Sequence, residues 1–243
     1  AMANLIALPK SIIPACDVDS LPKLAEIVGG THDVPGIGAY KIGLELGLAH
    51  GLPQVVTLIR GLLNNPPPII YDHQKGGTDI PSLGRNFAHV LAKARVDAAI
   101  LFPFGGDATE REWIEELEKE GIHVLVGGEM TQQGFLESDG GFIADSAPER
   151  IYRIAIACGV TDFVVPGNKP ESVLKYRNLF ESELGAGNFT LYAPGFISQG
   201  GNISETGKVA GDSWHAIVGS ALYNQKGREN IRKVATELTS QIT

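Results

Sequence analysis

Cysteine, long apolar segments and basic residues are all scarce in this sequence of 243 residues. Its two cysteines, Cys16 and Cys158, show no spacing typical of a metal site or a redox pair. The longest apolar stretches, 52–63 and 98–104, are shorter than the about 20 residues that span a bilayer. A net charge of −8 disfavours binding to nucleic acid and to anionic lipid. We therefore expect neither a nucleic-acid partner nor a membrane partner.

The start of the chain lacks the basic and then apolar segments of a secretion signal, so a cytoplasmic location is expected. Ala1 before Met2 is typical of a cloning remnant, and residues 1–9 are interpreted as an N-terminal extension or remnant. No linker-like segment divides the rest. We expect one domain over residues 1–243, a length common for a single α/β barrel.

Short apolar segments alternate with longer amphipathic ones along the whole chain. The predicted strands are 11–17, 38–42, 68–72, 98–102, 123–126, 162–165, 189–193 and 216–218. The predicted helices are 21–28, 54–63, 81–93, 109–120, 147–158, 170–180 and 229–240. Eight such repeats favour a (β/α)8 TIM barrel with a parallel eight-stranded core. A doubly wound open sheet has the same alternation and is the alternative.

Two helix starts carry a local signal. Thr109 and Glu112 have the spacing of a capping box, in which the two side chains bond each other's backbone N–H groups. Ser146 precedes Pro148, which suits the first turn of a helix. These signals predict helices that begin near residues 109 and 147.

Charged residues lie where the predicted strands end. Strand 1 ends at Asp17, strand 2 carries Lys41, and strand 3 runs into Asp72, Lys75 and Asp79. In a barrel of this kind the functional side chains project from the C-terminal ends of the strands. Buried ions are costly unless they are paired, so these residues form either a compensated structural network or a functional site.

Glycine is abundant, with 30 residues, and several follow the last two strands. Gly195, Gly200 and Gly201 come after strand 7, and Gly219 ends strand 8. Many barrels hold a phosphate group with the backbone N–H groups of these two loops, and glycine lets the backbone come close. For each loop taken alone, ordinary turn glycine is the alternative interpretation. Because both loops have glycines at the expected places, a phosphate site is favoured.

These residues, taken in chain order, resemble the orotidine 5′-phosphate decarboxylase family. The most specific matches are the block from Asp72 through Lys75 to Asp79-Ile80-Pro81 and the Gln199-Gly200-Gly201 loop. Glu129-Met130-Thr131 and the 217–219 segment agree as well. The resemblance implies a (β/α)8 barrel that decarboxylates orotidine 5′-monophosphate (OMP) to UMP in pyrimidine biosynthesis, without a metal or an organic cofactor.

The resemblance also implies a role for each catalytic residue. Asp17 and Lys41 would hold the ribose hydroxyls, and Lys41 would also pair with Asp72. Asp72 would face the substrate carboxylate, and Lys75 would protonate the ring carbon after CO₂ departs. Asp79 would cross the interface of a homodimer to complete the partner's site.

Further residues are implied in substrate binding. Thr131 would contact the pyrimidine, and Gln199 and the backbone of Gly219 would contact the phosphate. The complete substrate-binding set predicted here is Asp17, Ile80, Thr131, Pro194, Gln199, Gly200, Gly219 and Ser220.

The chain departs from the family pattern at two places. Asp72 and Lys75 are separated by two residues, so the backbone must either bulge or leave the strand after Asp72, with Gly76 and Gly77 permitting the turn. Ser220 stands where the family usually has an arginine that clamps phosphate. The nearest cations in sequence are Lys169, Lys208 and Arg228.

Two other functions stay open at this point. One is a Mg²⁺-dependent sugar-phosphate decarboxylase or hexulose-phosphate synthase on the same barrel. Lys41 argues against it, because those relatives carry a metal-binding acid on strand 2. The other is a non-catalytic nucleotide-binding barrel, which the serine at position 220 keeps open.

Overall fold

The structure is a computed structural model that describes residues 3–197 and 201–242. Eight parallel strands in these residues form one sheet. The strands are β1 (Lys10–Pro14), β2 (Tyr40–Gly43), β3 (Ile69–Asp72), β4 (Ala98–Leu101), β5 (His123–Gly127), β6 (Asp162–Val164), β7 (Thr190–Ala193) and β8 (Trp214–Val218). Each strand from β2 to β7 pairs with the next, and β8 also pairs with β1.

Hydrogen bonds between β1 and the β2 segment close the ring. Gly38 donates its N–H to the carbonyl of Ile12 at 3.0 Å, and Cys16 donates to the carbonyl of Lys41 at 2.8 Å. The sheet is therefore a barrel. The predicted (β/α)8 fold is confirmed, and the open-sheet alternative is wrong.

Helices follow the strands on the outside of the barrel. Within the described residues they are α1 (Leu21–Thr31), α2 (Leu44–His50), α3 (Leu52–Leu62), α4 (Gly84–Ala94), α5 (Asp107–Lys119), α6 (Ala147–Ala157), α7 (Pro170–Leu184), α8 (Ile203–Ala210), α9 (Ser220–Tyr223) and α10 (Arg228–Gln241). Short 3₁₀ helices cover Pro81–Leu83 and Glu137–Asp139. All seven predicted helices are present, whereas α2, α8 and α9 were not predicted. No helix in this part of the chain is long and apolar enough to cross a membrane.

The capping-box prediction at Thr109 is wrong. Helix α5 begins at Asp107, with Gly106 at its N-cap in a left-handed conformation of φ 114°. The Thr109 hydroxyl instead donates to the carbonyl of Asp79 at 2.8 Å. Pro148 does lie in the first turn of α6, as predicted.

Apolar side chains fill both the inside of the barrel and the space between strands and helices. Ile13, Ile70, Leu125 and Ile217 are among those that point inward. Ile6, which is 4% exposed, packs into the same inner cluster. Part of the 1–9 segment is thus packed against the barrel interior.

Gly127, at the end of β5, lies against the ring of Phe102, and a Cβ added there would stand 2.2 Å from a ring carbon. We expect Gly127→Ala to lower the free energy of unfolding by about 1–3 kcal/mol, because the core cannot absorb the added methyl group. Gly61→Ala in α3 is the control, since nothing lies within 4 Å of its Cβ position. That change should be neutral or stabilise by about 0.5–1 kcal/mol. Urea unfolding tests both, and equal losses would contradict the explanation.

Candidate active site

A cavity of about 470 Å³ opens where the strands end. Of the residues predicted for the site, those that line it are Asp17, Lys41, Asp72, Lys75, Thr131, Pro194, Gly219 and Ser220. They come from segments far apart in sequence, and the parallel barrel brings them together because all of its strands end on one side.

A chain of alternating charges crosses one wall of the cavity. Lys41 Nζ lies 3.2 Å from Asp17 Oδ1 and 3.3 Å from Asp72 Oδ2. Lys41 and Asp72 are buried, whereas Asp17 is half-buried at the mouth. Burial alone would lower the pKa of Lys41, but Asp72 and Asp17 outweigh it and hold that pKa above its usual range. The Lys41 ammonium is therefore charged at neutral pH.

Asp72 remains a carboxylate despite its burial. Burial by itself would raise the pKa of Asp72, but Lys41, Lys75 and the N–H of Gln74 together lower it. The Gln74 N–H donates to Asp72 Oδ1 at 3.0 Å. The site thus keeps a negative charge beside two lysines.

The backbone leaves β3 directly after Asp72, as the spacing predicts. Gln74 and Lys75 are both left-handed, with φ of 50° and 82°, and Gly77 follows with φ of 92°. Gly76 is not left-handed, so the turn depends on Gly77 and on two residues that have side chains. A left-handed non-glycine residue costs roughly 1–2 kcal/mol. Such strain occurs mainly where a functional side chain has to be aimed.

Lys75 lines the cavity and packs against the residue that follows the neighbouring strand β4. Its Nζ lies 4.3 Å from the centroid of the Phe102 ring, a cation–π contact. Burial lowers the pKa of Lys75 and Lys41 adds to that effect, while Asp72 and Asp17 oppose it. The lysine is therefore a better proton donor than an exposed one.

The segment that carries Thr131 is held by an ion pair between a buried carboxylate and a half-buried lysine. Lys169 Nζ lies 3.1 Å from Glu129, which is 4% exposed and also accepts from the Tyr176 hydroxyl at 2.5 Å. The same Nζ donates to the carbonyl of Met130 at 2.9 Å. Asn168 donates to the carbonyl of Thr131 at 2.9 Å. The turn after β6 therefore fixes the segment after β5.

The opposite wall comes from the ends of β7 and β8. Gly195 has φ of 100°, and a Cβ there would stand 2.8 Å from Asn168 Oδ1 and 2.9 Å from Thr131 Cγ2. Gly219 and Ser220 line the cavity at the start of α9. The predicted residues Gln199 and Gly200 lie outside the described residues.

None of the three cations considered as replacements for the family's arginine lines the cavity in the described ranges. Lys169 is engaged by Glu129 and by backbone carbonyls. Lys208 pairs with Glu205 at 3.0 Å. Arg228 packs on α1, where a Cβ on Gly29 would meet its Nε at 2.6 Å. Lys41 and Lys75 are the cations that line the cavity within those ranges.

Asp79 and Ile80 do not line their own chain's cavity. Asp79 is exposed and its carboxylate accepts from the N–H of Ile80 at 2.7 Å. Ile80 is 58% exposed, and its carbonyl accepts from the indole N–H of Trp113 at 3.1 Å. One chain does not bring Asp79 to Lys75, so the roles given to these two residues stay predictions.

Gln74, Phe102, Glu129 and Met130 line the cavity but were not among the predicted site residues. Phe102 directly follows β4, and Glu129 lies two residues after β5. Their position just after a strand was the available signal, but of the Glu129-Met130-Thr131 segment only Thr131 was predicted to contact the substrate.

No group of three or more His, Cys, Asp and Glu side chains in residues 3–197 and 201–242 is arranged to hold a metal ion. The charged groups of the cavity are instead lysines alternating with carboxylates. A closed parallel barrel with paired, buried charges at the C-terminal ends of its strands defines a (β/α)8-barrel enzyme.

The chain belongs to the orotidine 5′-phosphate decarboxylase / HUMPS family, whose model matches residues 10–234. An orotidine 5′-phosphate decarboxylase from Methanosarcina mazei is 30% identical over 231 residues, which cover 95% of this chain and 94% of that protein. Another from Methanocaldococcus jannaschii is 25% identical over 227 residues, 93% and 97% of the two chains.

A solved structure shares the fold. The crystal structure of the Methanocaldococcus jannaschii orotidine 5′-monophosphate decarboxylase complexed with the inhibitor BMP has a TM-score of 0.81. Its sequence is 22% identical, and the match covers 96% of this chain and 99% of that one. The likeness extends over almost the whole barrel.

Proposed function

We propose that this protein removes CO₂ from OMP and releases UMP, a step of pyrimidine biosynthesis. The observation that carries the proposal is the Asp17–Lys41–Asp72 ion chain with Lys75 beside it in the cavity. The names of the curated relatives favour the same reaction.

The proposed reaction needs a proton donor and a charged environment. When the bond from the pyrimidine ring to the carboxylate breaks, the electron pair stays on the ring carbon and CO₂ leaves. The Lys75 ammonium stabilises that developing carbanion and then gives it a proton, which forms the new C–H bond. Water returns the proton to Lys75 afterwards. No other oxidant, reductant or co-reactant is needed.

Asp72 has a different part in this reaction. The resemblance implies that its carboxylate faces the substrate carboxylate, so the two negative charges would repel each other. Loss of CO₂ relieves that repulsion. Lys41 and the N–H of Gln74 keep Asp72 ionised and fixed in place.

Binding is divided among the remaining walls of the cavity. Asp17 and Lys41 would hold the ribose hydroxyls, and Thr131, fixed by the turn after β6, would contact the pyrimidine. Gly219 and Ser220 would contact the phosphate together with Gln199 and Gly200. We further propose a cytoplasmic homodimer in which Asp79 of each chain enters the partner's cavity.

The direct test follows the absorbance of the orotate ring with OMP, with and without EDTA. Loss of absorbance that EDTA does not affect supports the proposal. Turnover of a hexulose phosphate that depends on added Mg²⁺ would favour the sister activity instead. Tight binding of UMP without any turnover would favour a non-catalytic barrel. Either of these two results would contradict the proposal.

We expect kcat/KM to fall as the pH rises through the pKa of Lys75, because only its ammonium form can donate a proton. Burial lowers that pKa, so the fall should begin below the range of an exposed lysine. Asp79→Ala should move the fall to lower pH, because it removes a carboxylate that would stabilise the ammonium across the dimer. The measurement is a pH profile of kcat/KM for the unaltered protein and for Asp79→Ala.

The pyrimidine N–H also titrates at alkaline pH, so the comparison between the two proteins is the decisive part. A titration of the substrate occurs at the same pH in both, whereas a titration of Lys75 differs. Superimposable profiles would contradict the combined proposal that the alkaline fall reports Lys75 and that Asp79 stabilises its ammonium across the dimer.

A further inference from the structure

One side chain at the cavity mouth has no role in the reaction described so far. Gln74 lies in the segment between Asp72 and Lys75, where this chain is longer than the common family pattern. It lines the cavity, and its own backbone is left-handed with φ of 50°. A strained backbone of this kind is kept where the surrounding structure requires a particular direction of the side chain.

The backbone and the side chain of Gln74 have separate tasks. Its N–H donates to Asp72 Oδ1 at 3.0 Å and so contributes to the turn. Its side-chain amide makes no hydrogen bond to another group within the described ranges, and the residue is exposed at the mouth of the cavity. The amide therefore has donors and an acceptor available for a ligand.

Gly43 shows which part of the cavity the amide faces. A Cβ added to Gly43 would stand 3.6 Å from Gln74 Nε2 and 3.2 Å from Asp17 Oδ1. The amide and the Asp17 carboxylate are thus both neighbours of residue 43, as is the carbonyl of Asp72 at 3.2 Å from the same Cβ position. Lys41, two residues before Gly43, pairs with the same carboxylate. Asp17, Lys41 and Gln74 therefore form a polar part of the cavity lining, and such groups can hydrogen-bond the hydroxyls of a sugar.

We propose that the Gln74 amide hydrogen-bonds a ribose hydroxyl of the nucleotide and sets a preference for ribonucleotides over deoxyribonucleotides. The inference rests on the proposed function, in which Asp17 and Lys41 hold the same part of the substrate. A neutral amide that donates to or accepts from a hydroxyl contributes to binding only when that hydroxyl is present.

The test removes each partner of this hydrogen bond in turn. kcat/KM is measured for OMP and for its 2′-deoxy and 3′-deoxy forms, with the unaltered protein and with Gln74→Ala. We expect the substitution to lower kcat/KM for OMP by about 3- to 10-fold. For one of the two deoxy substrates it should have almost no effect, because the contact is already absent. Gln74→Asn, with a shorter amide, should retain part of the preference for OMP.

Two controls keep the outcome clear. Gln54→Ala, on the exposed side of α3, should leave all three values unchanged. If Gln74→Ala abolishes turnover, the Kd values for UMP, 2′-deoxy-UMP and 3′-deoxy-UMP provide the same comparison. An equal loss on every nucleotide would overturn the inference, since it would assign Gln74 to the turn alone. Failure of the unaltered protein to decarboxylate OMP would instead overturn the proposed function and, with it, this inference.

Discussion

Lys75→Met is expected to lower kcat for OMP decarboxylation by at least about 10³-fold, because it removes both the proton donor and the charge nearest the carbanion. Methionine keeps an unbranched side chain of similar length, so the contact with the Phe102 ring can remain. The fold should therefore be retained, and Kd for UMP should change much less than kcat. The measurements are the absorbance assay under saturating OMP and a binding titration with UMP.

Lys93→Met is the matched control, because Lys93 is exposed on α4 and lies outside the cavity. It should leave kcat and KM unchanged. Circular dichroism and thermal unfolding test whether both variants are folded. Near-normal turnover by Lys75→Met would remove Lys75 from the proposed chemistry, whatever the structure of the variant.

The fold was predictable because its signal is repeated eight times along the chain. What failed was local: α9 has four residues, too few for a helical period, and the Gly106 turn starts α5 before Thr109 could cap it. The first strand ends at Pro14, three residues earlier than predicted, and β8 begins two residues earlier. Tertiary pairing decided these boundaries, and neighbouring residues carry little information about it.

The candidate site was predictable to the extent that the barrel topology decides it. Asp17, Lys41 and Asp72 meet because parallel strands end on one side, and that follows from the strand assignment. The Lys169–Glu129 pair was not predicted, since it joins residues 40 apart through the turn after β6. The left-handed conformation of Gln74 was not predicted either. Glutamine rarely adopts a left-handed conformation, so only the packed structure reveals the strain at this residue.

Asp79 lies apart from the charged residues with which it is proposed to act. It is exposed and outside its own cavity, although the resemblance gives it a part in the reaction. A second copy of the chain that completes the cavity would account both for the exposure of Asp79 and for its part in the reaction. Closed two-fold dimers place the same surface of each chain on its partner, so each Asp79 would serve the other chain's Lys75.

Dimers made of two different inactive chains test this directly. One chain carries Lys75→Met, the other Asp79→Ala, and each carries its own affinity tag so that only mixed dimers survive two purifications. In a mixed dimer, the cavity of the Lys75→Met chain faces the Asp79→Ala partner and so has both substitutions. The cavity of the Asp79→Ala chain keeps its own Lys75 and receives an unaltered Asp79 from the other chain, so it has neither. We expect such dimers to recover about half the activity of the unaltered dimer, whereas each variant alone is nearly inactive.

The control is a mixed dimer of Lys75→Met with Asp72→Asn. Both substitutions lie in the cavity of the chain that carries them, so neither cavity of this dimer is intact and no activity should return. Recovery there as well would mean that subunit mixing restores activity for another reason. If the Lys75→Met and Asp79→Ala dimer stays inactive, or if Asp79→Ala alone is fully active, Asp79 does not act across an interface. The reaction would then depend on Asp72, Lys41 and Lys75 of a single chain.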